Sequence, residues 1–197
     1  MALPDIDLIK RLRDETGAGV MECKRALEQC GSYEAAVAHL RRKGLAIAQK
    51  KTHRATHEGL VEAYIHADGR LGSLVEVNCE TDFVARTEEF KRLAHELAMQ
   101  VAATGPSYVS REDVPPEVVQ GWRSELLQEA EASGKPPSVL ERIVQGRLEK
   151  YFQQSCLLEQ PYIRDPERTV KELIDEHVAR FGENIRVRRF VRFEVSG

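Results

Sequence analysis

Apolar residues in the first 44 positions repeat at intervals of three and four, with glycines between the repeats. The repeating residues are Leu8, Ile9, Leu12, Cys23, Ala26, Leu27, Ala36, Val37 and Leu40. This spacing predicts three short helices, each with one apolar face. We expect these helices to end at Gly17, Gly31 and Gly44, because glycine adopts the left-handed backbone that often terminates a helix. Residues 1–44 are therefore predicted to form a small three-helix bundle.

Alternation between apolar and polar residues predicts three strands after residue 57. The first two, Gly59–His66 and Leu71–Cys79, flank Asp68-Gly69, a pair typical of a type I′ hairpin turn. One face of the second strand carries Leu71, Ser73, Val75, Val77 and Cys79, and one face of the first carries Val61, Ala63 and Ile65. The third run, Ile185–Val195, is expected to pair with the hairpin, because three strands with a buried face are stable where two are not.

Helical patterns occupy the segments between these strands. One unbroken apolar stripe consists of Phe90, Leu93, Ala94, Leu97, Ala98, Val101 and Ala102. Two further stripes over residues 116–154 lie on either side of the turn sequence Gly134–Pro137 and predict an antiparallel helical hairpin. A last helix is predicted to open at Thr169 and to end at Gly182. Helices packed on a small antiparallel sheet define an α+β fold.

Charge is distributed unevenly along the chain. The net charge is −3, but residues 1–56 carry a surplus of four basic side chains, and the remainder carries a surplus of seven acidic ones. Residues 45–57 are basic and lack apolar periodicity, so we interpret them as a linker between a domain at 1–44 and an α+β core at 58–197. The basic surplus of residues 1–56 favours binding to an acidic or phosphate-bearing surface of a partner. Direct nucleic-acid binding is disfavoured, since no aromatic residue interrupts the basic run at 41–57.

Several classes of function lack support in the sequence. No apolar run is long enough to span a membrane, and the N-terminus lacks the regions of a secretory signal, so we expect a cytoplasmic protein or one of an organelle. Nucleotide-binding, hydrolase and metalloprotease motifs are absent. The six histidines are scattered and the four cysteines form no CxxC pair, so reduced structural thiols are expected. We therefore expect no enzyme activity, no cofactor and no bound metal.

One segment departs from both local patterns. The second predicted strand runs into Thr81-Asp82-Phe83-Val84, and the next helix begins only after Thr87. Phe83 thus lies outside the alternation of the strand and outside the apolar stripe of the helix. Two interpretations are open: the ring packs beneath the loop into the core, or it is exposed on a rigid corner as a contact for a partner.

A set of motifs distributed along the chain resembles one protein family. The motifs are LIKRLR at residues 8–13, TGAGVM at 16–21, KRAL at 24–27, VEVNCETDFVA at 75–85, GKP at 134–136, QP at 160–161, GENI at 182–185 and RR at 188–189. They resemble the signatures of the elongation factor Ts family, whose members are guanine-nucleotide exchange factors for elongation factor Tu. The similarity covers nearly the whole chain.

The resemblance implies roles for three groups of residues, which together promote release of GDP from elongation factor Tu so that GTP can bind. The group implied to disturb the Mg²⁺ site of the partner, with an aromatic ring wedged between partner side chains, is Thr81, Asp82, Phe83 and Val84. The group implied to dock on another face of the partner's G domain is Leu12, Val20 and Met21. The group implied to reach the phosphate-loop side is His66, Phe181 and Gly182.

The chain differs in length from the longer members of this family, which have two related core subdomains and a C-terminal helical module. It resembles the short form, which implies a homodimer whose two copies replace the two subdomains. Two alternatives stay open. The first three helices also resemble ubiquitin-associated (UBA-like) bundles, so the chain is alternatively a scaffold without exchange activity. A third possibility is an RNA-binding protein, whose affinity would depend strongly on salt.

Overall fold

The computed structural model describes residues 5–131 and 137–195. Within these ranges the α-helices are α1 (Ile6–Thr16), α2 (Val20–Cys30), α3 (Tyr33–Lys51), α4 (Asp82–Ala85), α5 (Glu88–Thr104), α6 (Pro116–Glu131), α7 (Pro137–Ser155) and α8 (Val170–Phe181). The strands of the same residues are β1 (Glu58–Ile65), β2 (Leu71–Cys79), β3 (Pro161–Tyr162), β4 (Asp165–Thr169) and β5 (Arg186–Glu194). Two 3₁₀ turns lie at Arg111–Asp113 and Leu157–Glu159.

The three predicted strands form one antiparallel sheet in the order β1–β2–β5, and β3 pairs with β4 apart from it. The hairpin between β1 and β2 forms at the predicted place, but the predicted type I′ turn is wrong. That turn needs a positive φ at both central residues, and Asp68 does not have one. The His66 N–H donates to the Leu71 carbonyl at 2.8 Å, and the Gly69 N–H donates to the His66 carbonyl at 2.7 Å. Gly69 has a φ of 69°, a conformation that glycine adopts without steric penalty. The predicted α+β fold is thus confirmed.

The apolar patterns of β2 and α5 correspond to buried faces. In β2 the buried positions include Ser73, Val75, Val77 and Cys79, each at most 2% exposed. In α5 the predicted stripe is buried along its whole length, at Phe90, Leu93, Ala94, Leu97, Ala98, Val101 and Ala102. Ser73 is the polar exception, and its hydroxyl donates to the Ala98 carbonyl at 2.6 Å, which satisfies a buried group that would otherwise destabilise the fold.

The described residues form two compact units. The first unit comprises residues 5–62, 76–95 and 171–188, and the second comprises residues 63–75, 96–131, 137–170 and 189–195. The N-terminal helices and the segment Thr81–Val84 both belong to the first unit. His66 belongs to the second unit.

In the first unit, helices α1 to α3 pack around a small apolar core. Its buried residues are Leu12, Cys23, Ala26, Ala36, Val37 and Leu40. Gly17 ends α1 as predicted: its φ is 68°, and its N–H donates to the Arg13 carbonyl at 2.7 Å. The predicted end of the third helix at Gly44 is wrong, because α3 continues to Lys51.

Helix α3 continues through Gly44 because this glycine packs closely against α8, where its lack of a side chain is an advantage. A Cβ added at Gly44 would lie 3.3 Å from the Cβ of Ala179 on α8. A glycine inside a helix is unfavourable by only about 1 kcal/mol relative to alanine, which packing readily offsets. Ala48, one turn further along α3, is 1% exposed, so burial continues past the glycine.

The second unit contains the predicted helical hairpin, formed by α6 and α7. Its core consists of Val114, Leu126, Ala130, Val144, Leu148, Phe152 and Cys156. Trp122 stacks on Tyr151 with ring centroids 5.3 Å apart. Arg123 pairs with Glu141 at 2.6 Å, as expected of neighbouring antiparallel helices. Of the predicted turn at residues 134–137, residues 134–136 lie outside the described residues, and Pro137 begins α7.

The Gln160-Pro161 pair has a structural role in the second unit. The buried Gln100 on α5 donates to the Gln160 side-chain oxygen at 3.2 Å and to the Pro161 carbonyl at 3.1 Å. The Gln100 oxygen accepts from the Ile163 N–H at 2.9 Å. These hydrogen bonds satisfy a fully buried amide, so they fix the β3 segment against α5.

Candidate partner-binding surface

The segment Thr81–Val84, hereafter the corner, turns the chain from the end of β2 into α5. Asp82–Ala85 form a single helical turn, α4, which Thr81 caps in an extended conformation. The Thr81 hydroxyl accepts from the Val84 N–H at 3.5 Å, a weak cap. Thr87 then caps α5, where its hydroxyl accepts from the Phe90 N–H at 3.2 Å. Phe83 therefore lies in a one-turn helix between two caps.

The Phe83 side chain is exposed to solvent. Its exposed fraction is 82%, the highest among the large apolar side chains of residues 5–131 and 137–195. Of the two interpretations left open by the sequence, packing into the core is thus excluded. A fully exposed phenylalanine gains about 1.5–3 kcal/mol when a partner buries it, so the ring is a candidate anchor.

Contacts from the same unit hold the start of the corner. The carboxylate of Glu183 accepts from the Glu80 N–H at 3.2 Å, from the Thr81 N–H at 3.0 Å and from the Thr81 hydroxyl at 2.6 Å. The thiol of Cys79 donates to the Thr81 carbonyl at 3.1 Å. Burial raises the pKa of the Cys79 thiol to about 11, so this thiol stays protonated and available as a donor at neutral pH.

The three residues implied to dock the N-terminal helices lie in different environments. Val20 and Met21 begin α2 and are 48% and 62% exposed. Leu12 is fully buried in the bundle core, so it holds the three helices together and presents no side chain at the surface. Ile6 and Leu8 on α1 are exposed as well. The helical spacing that placed Leu8 on the apolar face could not show that the bundle leaves it uncovered.

The third implied group is divided between the two units. In the second unit, His66 is exposed, and its Nδ1 lies 3.1 Å from the Tyr64 hydroxyl. In the first unit, the half-buried Phe181 ring packs edge-on against Phe90, with centroids 6.4 Å apart. The carbonyl of Gly182 accepts from the Lys51 ammonium.

Several basic side chains of the N-terminal segment form ion pairs within the first unit. Lys43 contacts Glu22 at 2.6 Å, a hydrogen bond that lowers the pKa of the Glu22 carboxyl. Arg54 contacts Glu80 at 3.4 Å. Arg41 lies within 4.0 Å of two more carboxylates, those of Glu15 and Glu176. Glu80 and Glu176 lie outside residues 1–56 and so offset part of the basic surplus, whereas Glu15 and Glu22 belong to the segment and are already included in it.

The described part of the chain contains neither clustered metal ligands nor a helix suited to a bilayer. In residues 5–131 and 137–195, no group of three or more His, Cys, Asp or Glu side chains is arranged to hold a metal ion. Across those ranges no helix combines the length and the apolar character that crossing a bilayer requires. The four cysteines are free thiols, and Cys23, Cys79 and Cys156 are buried.

Comparison with known proteins places the chain in a family. The sequence profile of the family described as Elongation factor TS matches residues 32–197. The chain is 58% identical over 190 residues to elongation factor Ts of Carboxydothermus hydrogenoformans, covering 96% of this chain and 88% of that protein. It is 57% identical over 192 residues to elongation factor Ts of Thermotoga neapolitana, covering 97% and 96% of the two chains. The chain therefore belongs to the elongation factor Ts family.

Proposed function

We propose that the protein is a guanine-nucleotide exchange factor in translation elongation, which binds elongation factor Tu with GDP and promotes GDP release so that GTP can bind. The observation that carries this proposal is the 82% exposed Phe83 on a corner held by hydrogen bonds, in a chain of the elongation factor Ts family. The reaction makes and breaks no covalent bond, so the protein acts by binding and not as an enzyme.

The proposed mechanism is thermodynamic linkage between two ligands of elongation factor Tu. If this protein binds the nucleotide-free form more tightly than the GDP form, GDP must bind less tightly in its presence by the same factor. The corner supplies the differential contact: Phe83 enters the partner's G domain and disturbs its Mg²⁺ site. Loss of that ion removes the largest local charge that holds the nucleotide phosphates.

The affinity of the protein for elongation factor Tu, with and without GDP, is the measurement that tests this linkage. Calorimetry with nucleotide-free elongation factor Tu is expected to give an affinity at least tenfold above that with the GDP complex, within the 1–3 kcal/mol typical of coupled sites. Equal affinities would contradict exchange by this route. They would instead favour a scaffold that binds without releasing nucleotide.

We further propose that the N-terminal helices dock on a second face of the G domain through Val20 and Met21, with Leu12 holding the bundle that presents them. Both surface residues are exposed and lie in the first turn of α2, where they contribute little to the core. His66, Phe181 and Gly182 form the third proposed contact group. In the two-copy arrangement below, one copy supplies the corner, and the other supplies His66, Phe181 and Gly182.

Met21→Asp is expected to weaken binding to elongation factor Tu about tenfold while leaving the melting temperature unchanged. The substitution places a charge in a proposed apolar contact, yet 62% of the side chain is already exposed in the free protein. Surface plasmon resonance checks the affinity, and Glu28→Gln at the other end of α2 serves as a control. Unaltered affinity of Met21→Asp would contradict the docking role.

We also propose that two copies associate through the open face of the sheet. In the second unit this face exposes four large apolar side chains: Ile65 at 66%, Leu74 at 43%, Val191 at 40% and Phe193 at 67%. Adjacent exposed apolar residues of this kind are typical of an interaction surface. A two-fold arrangement would bury the same face of each copy, at about 800 Å² or more per partner.

Light scattering at micromolar concentration is expected to give a mass of about 45 kDa, twice that of a 22.3 kDa chain. Phe193→Glu should shift the mass to that of one chain, because two such charges cannot be buried together at a two-fold axis. Glu194→Gln, next to it on β5, is the matched control and should stay dimeric. A concentration-independent single-chain mass for the unaltered protein, with full exchange activity, would contradict the two-copy mechanism.

A further inference from the structure

We infer that Glu183 is a positioning residue for nucleotide exchange: through the loop 182–184 it fixes the direction in which the corner presents Phe83. The inference deepens the proposed function and rests on it, because the direction of Phe83 matters only if the ring acts on elongation factor Tu. All of the residues involved lie in the first unit.

The Glu183 carboxylate accepts three hydrogen bonds at the start of the corner. One oxygen accepts the backbone N–H groups of Glu80 and Thr81 at 3.2 and 3.0 Å, and the other accepts the Thr81 hydroxyl at 2.6 Å. Hydrogen bonds to an ionised acceptor are shorter and stronger than neutral ones. Glu183 therefore holds both the backbone and the side chain of the residue that caps α4.

A second set of bonds runs in the opposite direction between the same two segments. The Glu80 carboxylate accepts the Asn184 N–H at 2.6 Å, with its second oxygen 3.4 Å from Arg54. Each segment thus supplies a carboxylate to the backbone of the other. Such a reciprocal pair restrains the two segments in translation and in rotation.

The loop 182–184 is in turn fixed to the end of α3. The Asn184 side-chain amide donates to the Arg54 carbonyl at 2.8 Å and to the Thr52 carbonyl at 3.4 Å, and the Lys51 ammonium donates to the Gly182 carbonyl. Asn184 is 3% exposed, so water competes little for these bonds. The loop therefore connects the long N-terminal helix to the corner.

The corner needs this support because it has little of its own. A helix of four residues forms too few internal hydrogen bonds to be stable alone. The Thr81 cap on Val84 is weak at 3.5 Å, and Phe83 is too exposed to be oriented by packing. The backbone direction at Thr81 thus determines where the ring points. The Glu183 carboxylate holds the N–H side of this residue, and the Cys79 thiol holds its carbonyl.

The test compares Glu183→Ala, Glu183→Gln, Phe83→Ala and the double variant Glu183→Ala/Phe83→Ala in GDP release from elongation factor Tu. Glu183→Ala is expected to lower the stimulated rate about fivefold, since small misplacements of a contact group have effects of this size or larger. Glu183→Gln should restore most of the rate, because its oxygen can accept both backbone N–H groups while its amide donates to the Thr81 hydroxyl. The double variant should be no slower than Phe83→Ala alone, since Glu183 acts through that ring.

Amide hydrogen exchange of the free protein supplies a second readout. The N–H groups of Glu80 and Thr81 should exchange faster in Glu183→Ala and near the original rate in Glu183→Gln. A wild-type GDP-release rate for Glu183→Ala, beside a slowed Phe83→Ala, would overturn the inference and leave the proposed function intact. The inference would also be overturned if the double variant lowered the GDP-release rate by the product of the two single-variant factors. Undiminished release by Phe83→Ala would overturn the proposed role of the corner, and the inference with it.

Discussion

Phe83→Ala is expected to lower the stimulation of GDP release at least severalfold without changing the melting temperature. A well-packed aromatic hot spot contributes about 2 kcal/mol or more to a complex, which corresponds to about a thirtyfold change in an equilibrium constant. In the free protein the ring is 82% exposed, so its removal leaves no cavity. The substitution should therefore lower the exchange activity and leave the stability of the protein unchanged.

The measurement is the release of fluorescent GDP from elongation factor Tu, with a thermal melt of each variant beside it. Ile163→Ala is the matched control: it removes a partly exposed apolar side chain of the second unit, whereas the corner belongs to the first. Unchanged release by Phe83→Ala, together with an unchanged melt, would exclude the ring as the wedge.

Phe90→Ala is expected to show the opposite pattern, with a large loss of stability. Phe90 follows Phe83 by seven residues, yet its ring is fully buried at the start of α5 and packs edge-on against Phe181. Truncation of a buried phenylalanine destabilises by about 3–5 kcal/mol, because it removes transfer energy and leaves a cavity. For a chain of this length the melting temperature should fall by about 10 °C or more.

Differential scanning calorimetry checks this second prediction. Phe90→Leu is the matched control and should lose less stability, because it fills part of the cavity. GDP release by Phe90→Ala, measured well below its lowered melting temperature, should fall less than that of Phe83→Ala, because the buried Phe90 ring cannot touch the partner. A melting temperature unchanged by Phe90→Ala would contradict the burial of this ring.

The sequence was sufficient to predict the elements in which one pattern dominates. Strand β2 alternates from Val75 to Cys79, and helix α5 keeps one apolar face from Phe90 to Ala102, so both buried faces could be assigned from spacing. Asp68-Gly69 indicated where the hairpin turns, although not the turn type, because both residues favour turns in general. In each case the conformation that the local sequence favours is also the one that the packed fold needs, so spacing along the chain was enough to predict it.

Features that depend on distant residues could not be predicted in this way. Gly44 has the sequence character of a helix end, but its lack of a side chain is used against Ala179, 135 positions later in the chain. The Glu183 contacts to Thr81 join residues 102 positions apart, and nothing near Thr81 in the chain indicates them. The exposure of Phe83 likewise depends on what the rest of the unit leaves uncovered.

The central claim is tested most directly by loading elongation factor Tu with labelled GDP and following its release after adding a small fraction of one equivalent of this protein with excess unlabelled nucleotide. The account predicts that release accelerates by more than about tenfold and that one protein molecule serves many partner molecules, because binding and dissociation of an exchange factor are repeated. A release rate that stays at its spontaneous value, under conditions where the two proteins form a complex, would contradict the account.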